Sequence, residues 1–561
     1  MKRRTVLGAG LGVAGLAACG AEGASGAHIE GGFTGIAIER GHALRDGGAP
    51  RALPGAKVRR TQVLILGGGV AGLAAARALR LRGVDDFAVL ELEDSAGGNA
   101  RAGRMGGIDC PLGAHYLPLP SDEAPEVQDL LEQLGLRQRV AGRWQYDERH
   151  LCHSPQERLF LHGAWQEGLL PWQGVGADTR AQYARFAALV AQAQRAARWT
   201  LPVQNRPAAP MQRALAAITF ETYLAQHGLD DTYLRWYLDY CCHDDFGAGI
   251  ATVSAWAGMH YFASRHGFHP GGEAGAEREG VLTWPEGNAW LTQRLAAPLG
   301  ERLHTARVVL RVESQRHGVA VEALHVPSGT VERWQAEHAI VALPIFVAAR
   351  VVQNPPDFLR QALQRSAYAP WLVANLQVSA PLHDPPGAAP SWDNVLYGTS
   401  THWGLGLGYV DARHQSLRPV PGPTVLTHYR ALGQVAGVGA PVGQAGRLRL
   451  AQGRWQDWRD AILAELSIAH PDLGAKTTRL ELTRYGHAMA VPVPQPDGQI
   501  GLWPAEILRE QLSKQKRLRS GGPPRPVLAW QRLCFAHSDW AGYSVFEEAF
   551  TAGHAAGLSL G

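Results

Sequence analysis

The segment Val63-Leu64-Ile65-Leu66-Gly67-Gly68-Gly69-Val70-Ala71-Gly72 runs from a continuous apolar stretch into a glycine-rich turn, and Glu91 closes the next apolar run, Phe87 to Leu90. Residues of these types at this spacing can hold the pyrophosphate and one ribose of a dinucleotide. Gly67 permits the tight turn, Gly69 lets the backbone approach the pyrophosphate, and Gly72 lets a helix from Leu73 to Leu81 pack closely on its strand. The helix start at Val70 and Ala71 then turns free N–H groups toward the phosphates, and Glu91 accepts from a ribose hydroxyl. NAD and FAD share this fingerprint, so the pattern alone leaves the choice between them open.

A second glycine pair follows, in Glu91-Leu92-Glu93-Asp94-Ser95-Ala96-Gly97-Gly98-Asn99-Ala100-Arg101. Here the chain resembles the FAD-dependent amine oxidase and phytoene desaturase superfamily, whose pattern is an acid, a short polar run and Gly-Gly-Arg. The resemblance implies FAD, with Gly97 and Gly98 among its contacts. Asn99 stands where the family carries arginine, which leaves the phosphate contact to Arg101 or Arg104, or leaves both as solvated cations.

Three further stretches resemble the same family: Trp284 to Leu291 before a helix, the strand set Val308–Val312, Gly318–Val321 and Ala339–Leu343, and the C-terminal run Cys534 to Tyr543 followed by a helix from Glu547 to Leu558. They imply an adenine contact at Val309 and a ribityl or phosphate contact at Asp539, although an aspartate that only caps the last helix would look the same. They also place Trp540 and Tyr543 beside the flavin, where aromatic faces attract a cationic amine. His115, in the flavin-lining segment Gly113 to Tyr116, is a candidate to orient the substrate or remove its proton. The family's lysine near the flavin is missing, because Tyr368 to Val378 contains none, and this favours an acceptor other than oxygen, such as a quinone. No cysteine occupies a family-like position for bonding the flavin, so FAD is expected to be non-covalent.

These motifs need a scaffold. A chain of 561 residues, 46% apolar and 19% charged, can bury two cores. The expected fold is α/β: a Rossmann-type FAD-binding domain from the discontinuous segments 57–118, 281–345 and 525–561, plus a mixed α+β substrate domain from 119–280 and 346–524. Helices are expected at Glu126–Leu136, Arg180–Trp199, Phe220–Tyr240 and Trp455–His470, making Ser121 to Pro270 a helical cap. Strands are expected at Leu372–Val378, Val395–Tyr397, Thr478–Thr483 and Val527–Ala536, the last reset by the breaker Gly521-Gly522-Pro523-Pro524. Residues 20–56 read as a Gly/Ala-rich tether with an edge strand at Phe33 to Ile38.

Residues 1–19 read as an export signal: Arg3-Arg4 fit a twin-arginine route for folded cargo, and Leu16-Ala17-Ala18-Cys19 fit a lipobox in which Cys19 is lipidated. The expected location is therefore periplasmic or cell-envelope, with a lipid anchor. The formal charge of +4 without a basic aromatic patch gives no footprint for nucleic acid. Cys241-Cys242-His243-Asp244-Asp245 resembles a ligand cluster, but neighbours on one element cannot converge on one ion, so a helix end with a capping aspartate and packed thiols is expected instead. The activity expected is hydride removal from a small organic substrate, most simply a polyamine-like amine; the alternatives are a desaturase or isomerase of an apolar lipid, and a non-catalytic FAD-bound envelope protein.

Overall fold

The computed structural model describes residues 29–46 and 57–560, apart from 153–155, 204–207, 266, 271–279, 402, 415, 417–419, 435–439, 505–506 and 508–525. The signal with Arg3, Arg4 and Cys19, the breaker at Gly521–Pro524 and most of the tether lie outside the described residues.

Val63, Leu64, Ile65 and Leu66 have no exposed surface, as a central parallel strand covered on both faces requires. Their strand, Val58–Leu66, pairs in parallel with Phe87–Leu90 on one side and Thr330–Val341 on the other. The sheet continues through Gly318–His325 to Arg307–Gln315, and Leu533–Phe535 joins Thr330–Val341 in parallel. Segments far apart in sequence thus share this first sheet, on which the expected cofactor motifs lie. The helix Val70–Leu81 rises from the glycine turn, and the last helix, Phe546–Leu558, lies directly on it. A Cβ at Gly553 would collide with the Ala71 carbonyl oxygen, so the small residue sets the close approach.

A second, mostly antiparallel sheet runs in the order Glu30–Phe33, Thr477–Ala490, Tyr368–Val378, Thr424–Ala431, Gly404–Asp411, Asp393–Leu396, Glu157–Leu161 and Ala164–Glu167. A helical layer including Ala177–Ala196, Thr232–Phe246 and Ala255–Ala263 packs through an apolar core with Phe186, Phe220 and Trp256 at zero to 2% exposure.

Several expectations are corrected. The region Ser121 to Pro270 is not purely helical, since Glu157–Leu161 and Ala164–Glu167 extend the second sheet. The helix expected at Phe220–Tyr240 is two, Phe220–Gln226 and Thr232–Phe246, because Gly228 turns the chain and Asp231 caps the second helix by accepting from Leu234 N–H. The edge strand lies at Glu30–Phe33, and Ile38 instead begins the helix Ile38–Arg45. The final strand is a hairpin, Leu528–Trp530 and Leu533–Phe535, turned at Gln531 with φ 55°. The helix from Trp455 stops at Leu466.

Candidate active site

A cavity of about 470 Å3 runs between the two sheets. One of its walls is mostly backbone. Gly67, with φ +103°, donates its N–H to Leu90 O at 2.8 Å, and a Cβ there would strike the Ala342 carbonyl. Gly72 does not line the cavity; a Cβ on it would strike the Gly67 carbonyl, so its role is to let the helix sit on the turn. Gly69 differs from both. It lines the cavity, and the nearest atom to a Cβ on it would be Gly98 Cα, at 3.8 Å. No protein atom therefore demands glycine at 69, and the open side belongs to whatever enters the cavity.

Gly97, Gly98, Val70 and Ala71 share this wall, and Gly69 gives its helix no side-chain cap, which leaves the first N–H groups to a ligand. Glu91 also lines it, accepting from Gly68 N–H at 2.7 Å and Glu93 N–H at 2.8 Å. Burial pushes its pKa up and those two bonds oppose the rise, while each oxygen keeps a further acceptor site. Val309 reaches the wall beside a register shift between Val309 and Arg311 that re-aims the strand. Facing glycines, an uncapped helix start, a carboxylate and an apolar strand residue are the donor set of a dinucleotide, and FAD fits them.

Neither candidate arginine joins this wall. Arg101 is buried, with Nε donating to Gly98 O at 3.1 Å and Nη1 3.7 Å from Glu93, so it braces the second glycine turn from behind. Arg104 is exposed opposite Asp109 on the hairpin Ala102–Pro111. Asn99 does line the cavity, its amide donating to Ala488 O at 2.7 Å.

The opposite wall is made of side chains. Tyr485 and Tyr429 donate their hydroxyls to Leu112 O at 2.6 Å and Gly113 O at 3.0 Å, which fixes both rings against the segment carrying His115. His115 stacks on Tyr429 with centroids 4.3 Å apart, and burial lowers its pKa to about 3. It is therefore a neutral wall group at neutral pH and a weak base. Next to it, Tyr116 donates to Asp244 Oδ2 at 3.3 Å. Burial, then the adjacent Asp245, raise Asp244 to about 7; Asp245 itself is engaged by Arg265 at 3.0 and 3.2 Å. Three buried polar atoms of residues lining the cavity, Trp371 Nε1, Asn288 Oδ1 and Arg307 Nε, have no hydrogen-bond partner among the described residues.

Asp539 lines the cavity and does not cap the last helix, whose N-cap is Val545. Its Oδ2 accepts from Ile345 N–H at 3.0 Å and from the Tyr368 hydroxyl at 2.7 Å. Burial raises its pKa, but His537 and these donors outweigh it and hold the carboxylate below its usual range.

Trp540 and Tyr543 are not in the wall. Trp540 packs on Phe358 and Phe535 beneath the cofactor sheet, and Tyr543 points toward Phe246 and Trp256 while donating to Glu548 at 3.0 Å. The turn Ser538–Ala541 carries both rings into the core and brings Ser544, Val545 and Phe546 to the cavity instead.

Asp244 was missed as a cavity residue. Instead of capping the next segment, it occupies the last turn of Thr232–Phe246 and faces the cavity, while Cys241 and Cys242 are buried in the core as free thiols. One signal could have found it: two acids in the last turn oppose the helix dipole, a local penalty that needs a reason elsewhere.

A stretch of 87 residues, 15% of this chain, is 36% identical to protein anon-37Cs of Drosophila lebanonensis, and the match spans 16% of that relative. Among solved structures, putrescine oxidase bound to putrescine superposes with a TM-score of 0.62 at 16% identity, covering 90% of this chain and 99% of that one. Cyclohexylamine oxidase from Brevibacterium oxydans IH-35A gives 0.59 at 17% identity, with 89% and 98% covered. A fatty acid isomerase from P. acnes gives 0.55 at 14%, with 88% and 97% covered. At these identities the superpositions establish the fold. The model of the flavin containing amine oxidoreductase family matches residues 70–556, most of the chain and most of the cavity lining, and the protein belongs to that family of FAD-dependent oxidoreductases.

Proposed function

We propose that the protein oxidises an amine, removing a hydride from the carbon that bears the nitrogen, with Asp244 as the anchor for a substrate ammonium. The observation that carries this reading is a carboxyl in the cavity wall, pushed up to about 7, with the rings of Tyr116, Trp371 and Tyr429 in the same wall. An arriving ammonium favours the ionised carboxylate, and the aromatic faces attract the cation while excluding water. FAD, when bound non-covalently by the glycine wall, supplies the two-electron acceptor. The surrounding fold is shared with amine oxidases of putrescine and cyclohexylamine, which supports a small aliphatic amine as substrate.

Anaerobic mixing tests the reading. A diamine such as putrescine should bleach the bound flavin and an unsaturated fatty acid should not; bleaching by the lipid alone would replace amine oxidation with the isomerase class.

The cavity wall contains no lysine among the described residues, so reduced flavin is proposed to pass electrons to a quinone-like acceptor faster than to oxygen. Stopped-flow reoxidation checks this: oxygen outpacing a quinone at matched concentration would overturn it.

The paired arginines and the Cys19 lipobox support export of the folded, FAD-loaded chain and attachment to the cell envelope. A Cys19→Ser protein should be released from membranes, and an Arg3→Lys, Arg4→Lys protein should stay in the cytoplasm.

A further inference from the structure

We propose that the segment Ile29–Asp46 is a clasp over the adenosine end of bound FAD, with Arg40 and Leu44 as its cofactor-retaining residues. The inference rests on the flavin cofactor and is independent of which substrate is oxidised.

The segment is fixed first to the second sheet. Glu30–Phe33 pairs in parallel with Thr477–Ala490, and Thr34 N–H donates to Leu482 O at 2.8 Å. The chain then crosses to the cofactor sheet's side of the cavity. There Ala37 N–H meets both carboxylate oxygens of Glu93 at 3.3 Å, and Arg40 donates from Nη1 to Leu92 O and from Nη2 to Asp94 Oδ1, each at 2.8 Å. Leu92, Glu93 and Asp94 directly follow Glu91, the carboxylate assigned to the ribose. The clasp is therefore bolted to the loop that would carry the sugar.

Leu44 lies one helical turn beyond Arg40, on the same face of Ile38–Arg45. It forms part of the cavity wall and packs against the apolar cluster that holds Val309, with Leu343 and Val347. It is thus placed to cover the adenosine end beside Val309.

The helix Ile38–Arg45 has eight residues and buries none of them fully. A helix that short does not persist on its own in water, so contacts at its ends must hold it. A ligand touching Leu44 adds one such contact, and coupling of this kind is reciprocal: FAD orders the clasp, and the clasp slows FAD release.

Hydrogen exchange on the full chain, stripped of flavin and then reloaded, tests the clasp. FAD and ADP should both slow exchange across residues 38–45, whereas FMN, which lacks the adenosine, should not. Equal protection by FMN and FAD, or none by either, would overturn the proposal. Flavin release gives a second measurement. Arg40→Ala and Leu44→Ser should each lose FAD about tenfold faster, the factor that corresponds to roughly 1.4 kcal/mol, with the spectrum of the still-bound flavin unchanged. Release at the unaltered rate in both variants would also overturn it. Neither result depends on amine turnover, so the substrate reading can fail while the clasp stands.

Discussion

The two walls of the cavity are built from different materials. On the cofactor side the contacts are backbone: glycines with no side chain, the first N–H groups of a helix, and one carboxylate close by in sequence. On the substrate side they are side chains from several elements, with Tyr116, Asp244, Trp371 and Tyr429 brought together from across a span of about three hundred residues. A backbone wall depends on conformation at a few adjacent residues and tolerates little change. A side-chain wall can be rewritten one residue at a time while the scaffold stays, which is how one fold can serve different substrates.

Substitutions at two glycines of the first wall give the largest expected effects, and the two should differ in kind. Gly69→Val should fold and purify colourless, because the new side chain meets open cavity and not protein. Gly72→Val should destabilise the apoprotein by about 1–3 kcal/mol or more, since its Cβ would overlap the Gly67 carbonyl and force the helix off the turn. Calorimetry of both flavin-free proteins separates them; equal melting temperatures would show that the two glycines do the same job.

Asp244→Asn probes the second wall. Losing a charged partner for the ammonium should cost about ten- to a hundredfold in kcat/KM for a diamine, while the flavin spectrum is unchanged. In the parent protein kcat/KM should rise with pH through about 7 as Asp244 ionises, and the asparagine variant should lose that limb.

The same shift predicts a stability effect in the flavin-free, substrate-free protein. The pKa of Asp244 is higher folded, about 7, than its ordinary 3.8, so the folded state holds more protons between those values and stability falls as pH rises across that window. Denaturant titration at several pH values should show a shallower fall in the Asp244→Asn variant.

The smallest effect belongs to a residue that the sequence motif places at the flavin and the fold does not. Tyr543→Phe should lose about 1 kcal/mol of stability with its hydrogen bond to Glu548, and kcat should hold. A large fall in kcat with unchanged stability would return Tyr543 to the second wall.

The glycine turn and Glu91 were legible in the chain because they act through local conformation: a tight turn, a helix start and the strand that feeds them are coded by neighbouring residues. Gly97, Gly98, Val309 and Asp539 came only from the family resemblance, and all four line the cavity. Trp540 and Tyr543 were misplaced because a motif gives order along the chain, whereas the turn at Ser538–Ala541 decides which side each ring faces. Asp244 stood in plain view, yet nothing near it in sequence says that Tyr116 will donate to it or that Arg265 will bond to Asp245 instead. Nor does the composition of residues 29–46 disclose that Arg40 meets the loop after the ribose carboxylate. The sequence by itself determined the dinucleotide-binding turn, the helix that starts from it and the carboxylate that follows, since backbone geometry is set locally. Tertiary structure alone decided the substrate wall and the clasp, since burial, pKa and contact across the cavity arise only when distant segments pack.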